Sequence, residues 1–432
     1  MQPEQPRPAR WQRWLLIGTV SFGALLVLAV LVVAALFTAM LVQRYWRQSE
    51  APPLQEKASA FEPAAEGAAG HFGGGQNVYV GTQPASLAVA DLDGDHAPDL
   101  LTANLQDTTI SLRFNDGHGD FRSKTGEIVV GHSPVEVVTG DLDADGRPDV
   151  LVLRQTNSQI LVLRNDGHDG FITNPSVRVG GDPGGLTLAD VDGDGDLDML
   201  VADYARHGTV SVLLNDGHAH FMQHQQEPVD VYPIRLALAD LDHDGDLDLL
   251  TANYGSTKNS VSIRLNNGHG TFAGTRSVWA GYHPQALVVG DLNGDHKPDL
   301  MTSDESYTLK IRFGNGRGGF TAQRRALTVH TECKTLALGD VDEDGDLDLL
   351  VPATTQNDSC REIATIWRND GHAGFRLNEE VPMESCHSPS AALTDIDGDG
   401  RPDVLLLNEM AGTVSVRLNA HRPATRTPRP RR

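Results

Sequence analysis

Between residues 72 and 419, short runs rich in Val, Leu and Ile recur at close intervals, each bounded by Gly, Asp, Asn or Pro. Ser86-Leu-Ala-Val-Ala, Asp99-Leu-Leu-Thr-Ala, Thr109-Ile-Ser-Leu-Arg-Phe and Glu127-Ile-Val-Val make one such set. Their alternating or β-rich make-up, cut by turn residues, predicts four short strands. No 3.6-residue spacing of apolar positions appears, so a helical solenoid has no support. The N-terminal part reads differently. Trp14 to Val42 is a run of 29 residues without a charge. As a helix it would reach about 43 Å against a hydrocarbon core of about 30 Å, so it can span with tilt. A cleaved signal peptide would have an apolar core of about 7–15 residues and a small-x-small site. This run is longer and ends in Ala39-Met-Leu-Val-Gln-Arg44. The expectation is an uncleaved transmembrane signal anchor over 14–42, preceded by a short cytoplasmic tail, 1–13.

Residues 43–71, rich in Ala, Glu, Pro and Gly, read as a flexible linker. Residues 420–432, mostly Arg and Pro, read as a basic disordered tail. Arg7, Arg10 and Arg13 precede the span, and Arg44, Arg47 and Lys57 follow it. Loop charge therefore nearly ties, and orientation has to come from other chemistry.

Self-similarity decides the fold. An Asp-rich loop opens at Asp91, Asp141, Asp190, Asp240, Asp291, Asp340 and Asp395, at offsets of 50, 49, 50, 51, 49 and 55 residues. A second marker follows six of these loops: Asn115-Asp-Gly-His-Gly-Asp-Phe121, then Asn165 to Phe171, Asn215 to Phe221, Asn266 to Phe272, Asn315 to Phe320 and Asn369 to Phe375. Four strands per period of about 50 residues is a propeller blade. The residue before each loop is small (Ala90, Gly140, Ala189, Ala239, Gly290, Gly339, Thr394), as a crowded axial strand requires. The last blade stops after its third strand at Asn419. Phe72 stands 19 residues before Asp91, the spacing of an outer strand. The N-terminal strand is therefore expected to complete the seventh blade and close the ring. The fold class is all-β: a seven-bladed β-propeller over 72–419, carried on the anchor and linker.

The loops place acids at positions 1, 3, 5 and 9, with one Asn among them. These are Asp91, Asp93, Asp95 and Asp99; Asp141, Asp143, Asp145 and Asp149; Asp190, Asp192, Asp194 and Asp198; Asp240, Asp242, Asp244 and Asp248; Asp291, Asn293, Asp295 and Asp299; Asp340, Asp342, Asp344 and Asp348; Asp395, Asp397, Asp399 and Asp403. Alternate carboxylates of a tight turn converge on one point, and a position-7 carbonyl adds a further oxygen. Six or seven hard oxygen ligands suit Ca2+ rather than zinc or copper. The first half matches an EF-hand loop, but no Glu stands at position 12 and no helix flanks it. Asp and Gly are common in turns, yet seven identical spacings exceed that explanation. Up to seven Ca2+ are expected, held by self-saturated loops with no open position for catalysis. Position 6 is His96 and His296 in two loops where Gly is preferred, and position 3 is Asn293 in one. The loop opening at Asp291 combines both departures and is expected to bind weakest.

The balance of 58 acidic against 35 basic residues gives a net charge of −23. Such a surface repels nucleic acid. The 27 loop carboxylates account for much of it, and seven Ca2+ would bring the net charge to −9. Sites typical of extracellular modules fill at about 10⁻⁴–10⁻³ M free Ca2+, which places the propeller on the periplasmic or extracellular side. His118, His168, His218, His269 and His372 recur one per blade and could not converge on one ion. G-x-S-x-G, H-E-x-x-H, Walker and Rossmann signatures are all missing, so no enzyme is expected.

These repeats resemble the FG-GAP/VCBS repeat family, the propeller of integrin α subunits and many bacterial surface proteins. The resemblance covers residues 72–419 and all seven repeats. It implies that the face opposite the metal loops is the ligand side. Here that face would carry Asn104, Arg154, Asp203, Tyr204, Asn253, Tyr254, Asp304 and Tyr307 between second and third strands. Tyr232, Trp279, Tyr282 and His283 come from the connections between blades. Clustered aromatics with polar neighbours suit a partner surface or a sugar. The expected function is a membrane-anchored, Ca2+-binding module for a protein or glycan ligand. The alternatives are a carbohydrate-active enzyme built on the propeller and a structural spacer.

Three cysteines are too few for a disulfide scaffold. Cys333 and Cys386 fall between blades, and Cys360 falls in an insertion between strands, all on one face where thiols would be exposed. An oxidising compartment favours one bridge; Cys333–Cys360 is preferred over Cys360–Cys386.

Overall fold

The computed structural model describes residues 72–419, apart from 123–125, 169, 257, 330, 332, 353–362 and 385–386. The expected tail (1–13), anchor (14–42), linker (43–71) and C-terminal tail (420–432) lie outside the described residues, as do Cys360 and Cys386. Among the described residues, no helix is long and apolar enough to cross a membrane.

Seven antiparallel sheets follow one another along the chain. Blade 1 runs Pro84–Ala90, Asp99–Asn104 and Thr109–Asn115, with an outer strand in two pieces, Phe121–Arg122 and Glu127–Val129. The innermost strands of blades 2 to 7 are Pro134–Gly140, Pro183–Ala189, Pro233–Ala239, Leu287–Gly290, Ala337–Gly339 and Ala391–Thr394. Each touches the innermost strand of the next blade, and blade 7 returns to blade 1. Each Asp loop joins the first strand to the second, as the reading of the sequence assumed.

The hydrophobic pattern explains the packing. In blade 1 the second and third strands are buried along their whole length. Their two faces meet different neighbours. Leu101, Ile110 and Leu112 pack on Val137, Val150 and Val152 of blade 2. Leu100 packs instead with Leu405, Leu407 and Val414 of blade 7. Burying each such side chain is worth about 1.5–3 kcal/mol. The ring is therefore held by apolar seams between blades, with no central core.

The closure predicted by counting is present. Phe72–Tyr79 pairs antiparallel with Thr413–Asn419, from Phe72 opposite Asn419 to Tyr79 opposite Thr413. The register slips between Gly73 and Gln76. There Gly75 has φ +75° and lies so close to Val416 that a Cβ would fall 2.2 Å from its carbonyl oxygen; only glycine fits this bulge. Val78 and Val80 enter the blade 7–blade 1 seam. The Phe72 N–H donates to Glu379 Oε1 of blade 6 at 2.9 Å.

Cys333 corrects one expectation. It is not an exposed loop thiol: it is buried in the seam with Ala286, Phe313, Val329 and Leu336. The preceding connection folds inward here, which residue counting could not show. The partners considered for it lie outside the described residues.

Candidate metal centres and ligand face

The loops fold around their own carboxylates. In the first, Asp91 Oδ1 accepts the Gly94 N–H at 2.7 Å and Oδ2 accepts the His96 N–H at 2.9 Å. Asp95 Oδ1 accepts the Ala97 N–H at 2.9 Å. The same pattern recurs at Asp190, Asp240 and Asp395. Position 6 has positive φ throughout the set, including +72° at His96 and +61° at His296. Position 4 is also left-handed, even at Ala144, His243 and Glu343. Glycine fills position 4 in four loops, but Ala144, His243 and Glu343 in the other three hide that second requirement from a reading of residue types.

Position 9 is the buried pin of each loop. Asp99 Oδ2 accepts the Leu92 N–H at 2.8 Å, and Oδ1 accepts the Asn115 N–H at 2.8 Å. Asn115 in turn donates through Nδ2 to Ile396 O, inside the metal loop of the preceding blade, at 2.8 Å. Asn165, Asn215, Asn266, Asn369 and Asn419 make the same bond to Leu92, Leu142, Val191, Leu292 and Val341. The recurring Asn is thus an interblade clasp. Blade 5 departs. Gly314, rather than Asn315, donates to Asp299 at 2.8 Å, and Asn315 sits one residue beyond the clasp position. A Cβ at Gly314 would lie 2.3 Å from Pro298 O, so no Asn fits there.

The fit to a cation can be tested on the acids themselves. One carboxylate oxygen from each of Asp91, Asp93 and Asp99 lies within 4.8 Å of the others, and likewise for Asp141, Asp143 and Asp149 and for Asp240, Asp242 and Asp248. In two loops the trio is positions 1, 3 and 5: Asp190, Asp192 and Asp194, and Asp340, Asp342 and Asp344. Oδ1 of Asp143, Asp242 and Asp342 is buried without a hydrogen-bond donor. Asp143 is only 10% exposed, and Arg164 takes its other oxygen at 2.6 Å. A buried carboxylate oxygen with no donor is costly, and a hard cation at this point would satisfy it. The residues present fit such an ion. The loop of Asp291 is different: Asn293 Nδ2 donates to Asp299 Oδ2 at 2.9 Å, turning an amide toward the position a cation would share. Position 7 also divides the set. Arg147, Lys297 and Arg401 reach back to the position-5 carboxylate, whereas Asp196, Asp246 and Asp346 occupy that place in blades 3, 4 and 6.

Burial pushes the position-9 carboxyls (Asp99, Asp149, Asp198, Asp248, Asp299, Asp348 and Asp403) from 3.8 up to about 6, against their two N–H donors. A raised native value means that the folded chain holds these protons more tightly than the unfolded chain. Metal-free stability therefore falls as pH rises through this window. With chelator present, the full chain should melt at least roughly 5 °C higher at pH 5 than at pH 7, about 1–2 kcal/mol for a domain of this size. Scanning calorimetry reads this directly, and an equal or lower midpoint at pH 5 would count against it.

On the opposite face the expected ligand residues separate into two groups. Asn104, Asp203, Asn253 and Asp304 are buried and do not form a surface. They end the second strand and satisfy third-strand polar groups. Asn104 donates to Ser111 Oγ at 2.7 Å, Asp203 accepts from Thr209 Oγ1 at 2.7 Å and Asn253 donates to Ser262 Oγ at 3.0 Å. Asp304 pairs with Lys310 at 3.3 Å. Arg154 is half-buried and donates to Val130 O, Gln159 and Ser176. The aromatics do reach the surface. Tyr204 packs on Tyr232 at 5.1 Å, Tyr254 on His283 at 5.2 Å and Trp279 edge-on to Tyr282 at 6.5 Å. Tyr282 and Tyr307 are 46% and 49% exposed. Glu305, which sequence reasoning missed, ties this group together: it accepts from Tyr254 Oη and lies 2.9 Å from His283 Nδ1. The hydrogen bond from His283 holds the Glu305 carboxyl below its ordinary value. Tyr232, His283 and Tyr307 all have positive φ, a conformation uncommon for bulky residues. The recurring histidines sit apart, each backbone N–H capped by the acid or amide two residues before it.

Similarity to known proteins agrees with this geometry. Residues 91–152, 141–201, 190–251 and 240–302 match the FG-GAP-like repeat. No curated relative is similar in sequence. Among solved structures, BBS1N in complex with ARL6DN superposes with a TM-score of 0.59 at 12% identity, covering 82% of this chain and 98% of that one. Hydrazine synthase of Kuenenia stuttgartiensis gives 0.55 at 15% identity, covering 79% and 96%. A catalytically inactive virginiamycin B lyase from Staphylococcus aureus with quinupristin gives 0.51 at 13% identity, covering 79% and 98%. At these identities the likeness is one of fold. Residues 91–302 carry FG-GAP-like repeats, and the seven sheets of the described chain close into a β-propeller.

Proposed function

We propose that the chain is a membrane-anchored propeller, displayed outside the cytoplasm, that binds up to seven Ca2+ and holds a protein or glycan ligand on the face opposite the metal loops. The observation that carries the reading is the aromatic surface of blades 3 to 5, where Tyr282 and Tyr307 stay exposed although a Tyr, His and Trp network packs beside them. Rigid aromatics with polar partners recognise ligands at low entropic cost. Positions 1 and 3 of a loop, with position 5 or 9, would hold the cation, whose charge offsets the crowded carboxylates and stiffens the scaffold beneath that surface. BBS1N, a propeller of similar fold, was solved in complex with ARL6DN, which fits an interaction role. The enzyme reading has one observation in its favour: the Glu305 carboxylate beside His283 Nδ1 would orient the ring as a base.

The test is to screen the full-length protein against arrays of glycans and secreted proteins, with Ca2+ and with chelator. A retained ligand should weaken at least tenfold in Tyr282→Ala/Tyr307→Ala. Capture of nothing would favour a spacer. Release of product from a bound glycan would favour the enzyme.

A further inference from the structure

The axis of the propeller carries charges that neither the metal loops nor the aromatic surface uses. Five residues before each loop, the innermost strand faces the next blade: the Val137 N–H donates to Ser86 Oγ at 3.3 Å. At this level blade 2 places Glu136 and blade 4 places Arg235, with the hydroxyls of Ser86, Thr335 and Ser390 around the same opening. Blade 3, between the two charges, contributes Gly184 and Gly185. A Cβ on either would come within 3 Å of a blade 4 carbonyl oxygen, so between Pro183 and Tyr204, which also line the cavity, this wall stays low. The result is a cavity of about 560 Å³ at the mouth of the channel, within the size range of small-molecule sites.

Burial raises the Glu136 carboxyl above its ordinary value, opposed by the nearby Arg235 guanidinium and by the Leu186 N–H that the carboxylate accepts. Glu136 and Arg235 do not bond to each other, however: Arg235 donates to Ile234 O at 3.1 Å. Two opposite charges separated by a gap invite a molecule that carries the complementary pair. We propose that the channel mouth binds a small zwitterion, its ammonium on the Glu136 carboxylate and its carboxylate on the Arg235 guanidinium. Both contacts would be charge-assisted hydrogen bonds, which are stronger than neutral ones. Tyr204 of the aromatic surface borders this site, whereas Tyr282 and Tyr307 do not line it, and its binding is a separate reading from theirs.

The ω-amino acid series glycine, β-alanine, 4-aminobutyrate and 6-aminohexanoate serves as a set of rulers, titrated calorimetrically into the full-length protein. One length should bind best, and its N-acetyl and methyl ester forms should bind at least tenfold more weakly. Glu136→Gln should remove the preference for the free amine, and Arg235→Gln the preference for the free carboxylate, at unchanged melting temperature. The proposal fails if no member binds more tightly than about 1 mM, if capped forms bind equally, or if acetate or methylamine alone does as well. Loss of a rim ligand in Tyr282→Ala/Tyr307→Ala should leave this titration unmoved, so the two readings fail separately.

Discussion

Chelation of Ca2+ is expected to lower the melting temperature of the full-length protein by more than about 10 °C. Each site held at a hundredfold excess over its dissociation constant adds about 2.7 kcal/mol, if the unfolded chain does not bind. Three such sites would add about 8 kcal/mol, and about 1 kcal/mol moves the midpoint by roughly 2–4 °C in a domain of this size. The loops of blades 3, 4 and 6 should contribute most. Their fifth acid at position 7, Asp196, Asp246 or Asp346, adds repulsion that no neighbouring arginine or lysine of the loop offsets. In blades 2, 5 and 7 the basic residue at position 7 already neutralises part of the cluster. Calorimetry in excess Ca2+ and in chelator measures the difference, and identical curves would remove the metal assignment.

Deleting residues 72–79 should be equally severe. The strand Thr413–Asn419 would lose its only outer neighbour in blade 7, leaving a row of backbone donors and acceptors exposed, and such an edge templates association. Val78 would vanish from the seam with blade 1. The Phe72 N–H bond to Glu379 would go as well. Size-exclusion chromatography should show mostly aggregate, with the remaining monomer melting well below the intact protein. A truncated chain that stays monomeric with an unchanged midpoint would refute the closure.

The ring was legible because its evidence is periodic. Loop spacing, the small residue before each loop and the 19-residue interval from Phe72 to Asp91 are one-dimensional quantities, and β-pairing preserves them. What escaped depends on depth. Asn104, Asp203, Asn253 and Asp304 end strands beside predicted turns, which reads as surface; the structure buries them under third-strand hydroxyls. Cys333 was misplaced for the same reason. The clasp was visible as a recurring Asn, yet its acceptor lies 73 residues or more away in sequence, in another blade. Blade 5 shows the limit of pattern matching. Asn315 resembles the marker, but the hydrogen bonds assign its place to Gly314.

That exchange removes one side-chain clasp from the ring. At the other metal loops, the position-2 carbonyl accepts the side-chain clasp of the following blade. Between blades 4 and 5 the Leu241 carbonyl receives only the backbone N–H of Gly318, at 3.0 Å. Blade 5 also carries the loop least suited to a cation. The ring is closed elsewhere, in blade 7, by the hydrogen-bonded pairing of Phe72–Tyr79 with Thr413–Asn419. Blades 4 and 5 are bridged instead from their margins: Arg276 donates to Arg317 O and Gly318 O, and Tyr254 Oη donates to Glu305, so the wheel makes up for its missing clasp with contacts at its outer strand and its aromatic rim.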